Sequence, residues 1–356
     1  MHRRLLAAGA MLAAIAIAVT IGGTAPAAGS EDDPRPLAGF DFTTPEQIAQ
    51  VDQPWGVAFL PDGSALVTER NTGRLLRIDP GSPPVEIMTL PSYAEGESGA
   101  LGLVTSPTYD QDGYIYAYFT TEEDNRIVRF TLDDLTLEPI LTGIPSNWTH
   151  NGGQLAFGPD GMLYASTGET GQPALAQDLD TLAGKILRLT PDGEVPADNP
   201  FPGSYVYTYG NRHVQGLAWD STGTLYFSEI GQNTWDELNV AVPGRNYGWP
   251  LVEGPGGEPE YIDPIVYWPP ADGVVSGITI VDDVLYGAAL RSQQLWVIPV
   301  YDGEAGEPVS ELKGVHGRLR FARLAPDGSL WIGTSRGINQ VPSEDEIIRY
   351  QPLAAH

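Results

Sequence analysis

The sequence predicts an all-β fold in which one four-stranded antiparallel sheet is repeated six times. Its 356 residues include 42 Gly and 31 Pro spread along the chain, and such frequent turns favour many short strands over long helices. A phrase consisting of a short apolar segment, a Pro-Asp-Gly type of turn and an alternating strand recurs along the chain. Clear copies of its turn end at Gly63, Gly161, Gly223 and Gly328, and weaker copies at Gly113 and Asp283.

A third strand usually follows each copy, with basic and aliphatic residues alternating as in Arg74–Ile78. This alternation places the two kinds of residue on opposite faces of a sheet. One such sheet cannot cover its own apolar faces, and a closed ring of sheets both covers them and protects the edges. We therefore expect a single six-bladed β-propeller over residues 40–352. The longest insertions are expected in blades four and five, near Asn246–Tyr267, in long loops between blades.

The first 27 residues have the pattern of a secretory signal peptide. A basic start at residues 2–4 precedes an apolar run from Leu5 to about Ile21 and an Ala-Pro-Ala segment at residues 25–27. We expect residues 1–27 to be cleaved, residues 28–39 to form a polar lead-in, and the mature protein to be secreted or periplasmic. The alternative, a membrane anchor, is disfavoured because about 17 apolar residues are few for a span, and no later stretch is long enough.

The charge and cysteine content exclude several classes of function. The chain carries 46 acidic and 19 basic residues, a net charge of -27, so the phosphates of nucleic acid would be repelled. With no cysteine, the chain has no disulfide, no thiolate metal site and no cysteine nucleophile. Arginines that cluster in so acidic a protein need an explanation of their own.

His150 and four arginines are the candidate site residues. His150 precedes two glycines and a blade strand; histidine is the usual general base near neutral pH, although packing at a blade entrance is the simpler interpretation of this residue alone. In a strand, the Arg318 and Arg320 side chains point to one face, where they repel each other unless an anion lies between them. Arg212, Arg291 and this pair each lie near the start of a different repeat. Surface ion pairs explain each arginine singly, but ring closure gathers them at one mouth and favours a shared anionic ligand.

Longer phrases carry a family resemblance. They include His150-Asn-Gly-Gly, Phe157-Gly-Pro-Asp-Gly161, Gly216-Leu-Ala-Trp-Asp220, Asp236-Glu-Leu-Asn239 and Asn246-Tyr-Gly-Trp-Pro250. Together they resemble the glucose/sorbosone dehydrogenase family, whose better-known members are soluble aldose sugar dehydrogenases dependent on pyrroloquinoline quinone. The resemblance extends in order from about Pro54 to Thr334.

The resemblance implies a quinoprotein oxidoreductase that oxidises the C1 hydroxyl of an aldose to the lactone, with hydride transfer to pyrroloquinoline quinone (PQQ). His150 matches the catalytic base, and Arg212 matches the arginine that stabilises negative charge on the reacting quinone carbonyl. Arg318 and Arg320 match the pair that binds the cofactor's carboxylates, and Arg291 matches a further basic contact. The implied partner is a small-molecule sugar, while the electron acceptor is left open.

Glu97 matches a polar residue that lines the cofactor pocket. The resemblance also implies two calcium ions. One joins the cofactor to the backbone carbonyls of Gly231 and Gln232, and a second, structural ion is held by Glu237 and the Tyr247 carbonyl. Oxygen-only ligands suit calcium.

The chain departs from the family pattern at three positions of the expected site. His213 replaces a cofactor-facing amide, Ile230 replaces a hydrogen-bonding side chain, and Glu169 stands where aspartate is usual; in addition, Gln154 stands where arginine or another residue often occurs. The first two changes favour an alternative function, a binding or scaffold propeller that has lost or changed its cofactor. A calcium-dependent lactonase is less favoured, because it requires side-chain carboxylates around a central metal, and this chain has arginines there.

Overall fold

The computed structural model describes residues 39–337 and 344–353, and within them the chain is built almost entirely of antiparallel sheets. The first strand is β1 (Glu46–Val51). The first blade contains β2 (Pro54–Phe59), β3 (Ala65–Glu69), β4 (Arg74–Ile78) and β5 (Val85–Thr89). The second contains β6 (Ala100–Thr105), β7 (Ile115–Thr120), β8 (Asn125–Phe130) and β9 (Glu138–Ile144). The third contains β10 (Leu155–Phe157), β11 (Leu163–Ser166), β12 (Lys185–Leu189) and β13 (Val206–Tyr209).

The remaining blades follow the same order. The fourth contains β14 (Val214–Trp219), β15 (Leu225–Glu229), β16 (Asp236–Val240) and β17 (Val266–Trp268). The fifth contains β18 (Val275–Val281), β19 (Val284–Ala289), β20 (Gln294–Tyr301), β21 (Glu304–Ala305) and β22 (Val309–Glu311). The sixth contains β23 (Leu319–Leu324), β24 (Leu330–Thr334) and β25 (Asp345–Tyr350). Two short helical turns, α1 (Tyr109–Asp112) and a 3₁₀ turn (Pro173–Ala176), lie in loops.

The six sheets close into a ring, which confirms the predicted six-bladed propeller. The first strands of successive blades contact one another around the ring, from β2 through β6, β10, β14 and β18 to β23 and back to β2. β1 supplies the fourth, outer strand of the sixth blade by pairing with β25. A bridge between Phe40 and Pro352 continues this pairing towards the chain ends. The sixth blade therefore combines both ends of the described chain.

All six predicted turns join the first and second strands of a blade. Gly63 and Gly161 have φ angles of +85° and +76°, as expected for the reversal. The weakest copy is a two-residue hairpin between β18 and β19, in which Asp282 and Asp283 both have positive φ. The same turn in every blade explains why this phrase was the clearest repeat in the sequence.

Glycines allow the first strands to approach each other near the axis. A Cβ on Gly102 would lie 2.2 Å from the Gly153 carbonyl oxygen, and one on Gly216 would lie 2.5 Å from that of Ser276. Hydroxyl groups also join neighbouring blades, since Thr68 Oγ1 donates to the Leu101 carbonyl at 2.6 Å. Apolar side chains fill the space between sheets farther out. The inner strands are thus held at backbone contact, and this fixes the loops that extend from their ends.

The long insertion lies inside one blade rather than between two. Residues 241–265 connect β16 to β17 in the fourth blade, which corrects the prediction of a long inter-blade loop shared by blades four and five. The predicted signal peptide and nearly all of the lead-in fall outside the described residues. Within residues 39–337 and 344–353, no helix has the length and apolarity needed to cross a membrane.

Candidate functional site

The predicted site residues are gathered at one end of the ring. His150, Arg212 and Arg318 precede β10, β14 and β23, the first strands of three blades. Arg291 follows β19, a second strand, so the prediction that it lies near the start of a repeat is wrong. Because second strands run antiparallel to first strands, the end of β19 nonetheless lies at the same end of the ring.

His150 is held on both its backbone and its side chain. Its φ is +51°, its N–H donates to Glu97 Oε2 at 2.8 Å, and its Nδ1 lies 2.5 Å from Glu169 Oε1. Gly168 permits this arrangement, because a Cβ there would lie 2.0 Å from the His150 carbonyl oxygen. Glu169 is 1% exposed, and its Oε2 has no hydrogen-bond partner among the described residues. The pair can fix the imidazole orientation and leave Nε2 available.

Glu97 and His213 lie beside His150. The Glu97 carboxylate is 3.8 Å from His213 Nδ1, and the two imidazole rings are 5.2 Å apart. Burial lowers the pKa of His213 to about 3, so this ring is neutral near pH 7. Burial acts to raise the pKa of Glu97, but the two histidines and the His150 N–H outweigh it and lower the pKa to about 2. The site therefore contains a carboxylate and a neutral imidazole next to the candidate base.

Four arginines form a cationic cluster on the far side of His213: Arg70, Arg291, Arg318 and Arg320. Gln215 connects the two, since its Nε2 lies 3.1 Å from His213 Nε2 and its Oε1 accepts from Arg320 Nη1 at 3.1 Å. Burial and the charges of Arg70 and Arg318 lower the pKa of Arg320 to about 9. Within the part of the chain that the structure describes, Arg320 donates to neutral oxygens of Gln215 and Ser276 and forms no ion pair.

Arg318 and Arg291 extend the cationic cluster towards the surface. Arg318 is half-buried, donates to the Ser335 carbonyl at 3.1 Å and forms no ion pair among residues 39–337 and 344–353. Burial and the charge of the exposed Arg291 lower the pKa of Arg318. Arg70, Arg291, Arg318 and Arg320 thus lie close together, which is the arrangement expected of a site for a multiply charged anion.

Arg212 lies between this region and the loop that follows β15. Its Nη1 donates to the carbonyls of Ile230 and Gly231 at 2.9 and 2.7 Å, and its guanidinium lies 5.5 Å from the centre of the Trp249 ring. Its Nε is buried and has no partner among the described residues. Burial lowers the pKa of Arg212, against the charges of Glu169 and other carboxylates. One donor is therefore available for a further acceptor.

The loop containing Gly231 and Gln232 is shaped by one carboxylate. Glu253 Oε1 accepts from four consecutive backbone N–H groups, of residues 232–235, at 2.7 to 3.3 Å. These hydrogen bonds lower the pKa of Glu253 although burial acts to raise it. Gly231 lies so near the Trp235 carbonyl oxygen that a Cβ would be 1.7 Å away. The long insertion of blade four therefore positions this loop.

Two buried glutamates face each other beneath the loop. Glu229 and Glu237 are paired across β15 and β16, and burial together with the neighbouring carboxylate raises the pKa of Glu229. Glu237 accepts from the Gly254 N–H at 2.7 Å and from Asn239 Nδ2 at 2.9 Å. Asn239 Oδ1 is buried and has no partner within the described residues. Tyr247, the other predicted ligand residue here, is buried, and its pKa is raised by burial and then by the Glu229 charge.

Sequence reasoning missed three residues of this site, Arg70, Glu229 and Gln215, and named Glu169 only as a departure from the family pattern. Arg70 and Arg291 follow the second strands of blades one and five, and Glu229 ends the second strand of blade four. That shared position was the available signal, because those turns all lie at the site end of the ring. Gln215 gave no signal, since its role depends on contacts with His213 and with Arg320 from another blade.

Known proteins match the chain over most of its length. A model of the family described as Glucose / Sorbosone dehydrogenase matches residues 51–341. Quinoprotein glucose dehydrogenase B of Acinetobacter calcoaceticus is 33% identical over 295 residues, which cover 71% of this chain but only 62% of that protein. Aldose sugar dehydrogenase YliI of Escherichia coli is 29% identical over 344 residues, 85% of this chain and 91% of the relative.

Solved structures are similar in the same region. The PQQ-bound aldose sugar dehydrogenase of Streptomyces coelicolor has 42% sequence identity and a TM-score of 0.82, with 86% of this chain and 98% of that chain covered. The residues that the family model matches, 51–341, include every candidate site residue. This chain belongs to the glucose/sorbosone dehydrogenase family.

Proposed function

We propose that the protein is an exported quinoprotein that oxidises the C1 hydroxyl of an aldose to a lactone with PQQ as cofactor. The Acinetobacter and Escherichia relatives are named as sugar dehydrogenases, and the similar Streptomyces structure is PQQ-bound. The observation that carries the proposal is the buried arginine cluster beside the His150–Glu169 pair. The cluster suits an anionic cofactor, and the pair suits proton removal.

The arrangement of donors fits a quinone that bears several carboxylates. Arg318 and Arg320 have guanidinium groups that bond only neutral oxygens in the described part of the chain, and a carboxylate would relieve their mutual repulsion. Arg291 lies at the outer side of the same cluster. The unpartnered Nε of Arg212 supplies a further buried donor for a carbonyl oxygen. Arg212, Arg291, Arg318 and Arg320, with Glu97 and the buried His213 beside them, would hold the cofactor.

His150 is the candidate base. Glu169 accepts a hydrogen bond from the Nδ1–H of His150, so Nε2 is the nitrogen that takes the proton of the sugar's C1 hydroxyl. The buried Glu169 charge then stabilises the imidazolium that forms. When bound, the quinone supplies the acceptor for the hydride that leaves C1.

The two expected calcium sites differ in how well they fit. The Glu229–Glu237 pair suits a cation, because two buried carboxylates and the orphaned Asn239 Oδ1 offer oxygen ligands, although Glu229 also accepts from the Arg212 N–H and, at 2.9 Å, from Asn211 Nδ2. At the other site the Gly231 carbonyl already accepts from Arg212, so calcium does not fit there with this arginine conformation. We therefore assign calcium to the site of Glu237 and Tyr247 and derive no catalytic step from an ion at Gly231 and Gln232.

Reconstitution of the purified protein tests the proposal. We expect PQQ with calcium to change its absorbance on titration, and the loaded protein to reduce an artificial dye when an aldose is added. His150→Ala should remove turnover and leave PQQ binding measurable, whereas Arg320→Ala should weaken PQQ binding itself. Binding without turnover for any aldose, or turnover retained in His150→Ala, would contradict the proposal.

The second candidate is a propeller that binds a ligand without redox chemistry. Two observations favour it: the aliphatic Ile230 at the site, and the hydrogen bonds that Arg212 makes to the carbonyls of residues 230 and 231. It predicts that saturating PQQ produces no spectral change and no dye reduction. The same titration therefore separates the two functions.

A further inference from the structure

Glu97, His150 and His213 bring three metal-binding side chains to one point. One ligand atom from each lies within 4.8 Å of the other two. His213 Nδ1 is 3.8 Å from Glu97 Oε2, and the rings of the two histidines are 5.2 Å apart. Two imidazoles and a carboxylate form a ligand set typical of zinc sites with an open fourth position. We call these residues the His-His-Glu cluster.

We propose that the His-His-Glu cluster binds a divalent transition metal ion of the zinc type in the cofactor-free protein. Binding there would occupy His150, the candidate base, so the ion would compete with sugar oxidation. The inference does not depend on the proposed function, because it requires only the three side chains. It is also separate from the calcium site of Glu237 and Tyr247, since imidazole nitrogen is a ligand for zinc and not for calcium.

The surroundings of His150 already orient its imidazole as a metal-binding histidine requires. Its Nδ1 lies 2.5 Å from Glu169 Oε1, which leaves Nε2 to bind the ion. A carboxylate on the second nitrogen orients a metal-bound histidine and increases its basicity. Glu97 and Glu169 together supply two negative charges, which oppose the repulsion of the ion by Arg212 and Arg320.

Gln215 opposes binding at His213. Its Oε1 accepts from Arg320, so its Nε2 donates to His213 Nε2 and the imidazole proton lies on Nδ1, the nitrogen nearest Glu97. A metal on Nδ1 moves that proton to Nε2, and the amide must then turn over to accept it. Arg320 keeps its hydrogen bond to Ser276 Oγ at 3.2 Å. A carboxylate at position 215 would accept from both neighbours without turning.

Calorimetry with zinc chloride on the cofactor-free protein tests this inference, with excess calcium chloride present to fill the calcium site of Glu237 and Tyr247. We expect one zinc site, weakened at least tenfold by His213→Asn and by Glu97→Gln, because each removes a direct ligand. Gln215→Glu should tighten binding several-fold. His316→Asn is the matched control, since His316 contacts Tyr350 away from the cluster, and it should leave the affinity unchanged.

Cobalt chloride gives an independent reading, because four-coordinate cobalt with nitrogen ligands has strong visible absorption that His213→Asn should abolish. No zinc binding by the unmodified protein would overturn the inference. Binding that His213→Asn and Glu97→Gln leave unchanged would also overturn it. Failure of PQQ titration with zinc binding intact would contradict only the proposed function.

Discussion

The hydrogen bond between His150 and Glu169 leads to a quantitative prediction. Glu169→Gln keeps an oxygen that can accept from His150 Nδ1 but removes the buried charge that stabilises the imidazolium. Hydrogen bonds to charged groups contribute about 1.5–3 kcal/mol. If that contribution is lost in the transition state, kcat falls about 10- to 150-fold. KM should change little, because Glu169 is almost fully buried and has no surface to offer a sugar.

The assay is dye reduction by PQQ-loaded protein over a range of aldose concentrations. Glu169→Asp keeps the charge with a shorter reach, so its kcat should lie between those of the unmodified protein and Glu169→Gln. Glu194→Gln changes an exposed glutamate elsewhere and should have no effect. The reasoning is refuted if folded, PQQ-loaded Glu169→Gln retains a kcat within threefold of the unmodified protein, or if its loss appears mainly in KM.

Three further predictions concern stability. Gly102→Ala should lower the free energy of unfolding by about 3 kcal/mol or more, because its Cβ would lie 2.2 Å from a backbone oxygen; Gly39→Ala, with an ordinary 3.4 Å contact, should change it little in urea unfolding. Burial lowers the pKa of Lys185 to about 7 from 10.5, so the unfolded state binds more protons between these values and Lys185 makes stability rise with pH. Lys185→Met should reduce the slope of the free energy of unfolding against pH between pH 7 and 10. An unchanged slope would contradict this role of Lys185. When free calcium is at 100 times its Kd, removing it with a chelator should lower the thermal unfolding midpoint by roughly 5 °C. Glu237→Gln should abolish this difference between calcium-loaded and calcium-free protein.

The propeller could be predicted from the sequence because its signals are local. Each turn between first and second strands lies within one short phrase, and even the divergent copy at Asp282 and Asp283 forms the same hairpin. The outer strand of the sixth blade could not be assigned in this way. β1 pairs with β25 from the opposite end of the chain, and this register depends on ring closure rather than on adjacent residues.

The candidate site was predictable in part, for the same reason. His150 and Arg212 each precede a first strand, so their convergence follows from the repeat. Arg70 was missed because its segment resembles an exposed turn, although it is buried and its charge acts on that of Arg320. The hydrogen bond of Gln215 with Arg320 joins residues 105 positions apart. Contacts of that kind require the assembled ring.

The pairing of both chain ends in one sheet has a consequence for engineering. The Leu353 N–H donates to the Gly39 carbonyl at 2.9 Å, so the first and last described residues are already neighbours. A short peptide linker could join them without disturbing a blade, and new termini could be opened at a surface loop outside the site, such as the exposed stretch around Gly81 between β4 and β5. The order in which the blades are synthesised would then change, while the contacts that surround His150 would stay the same.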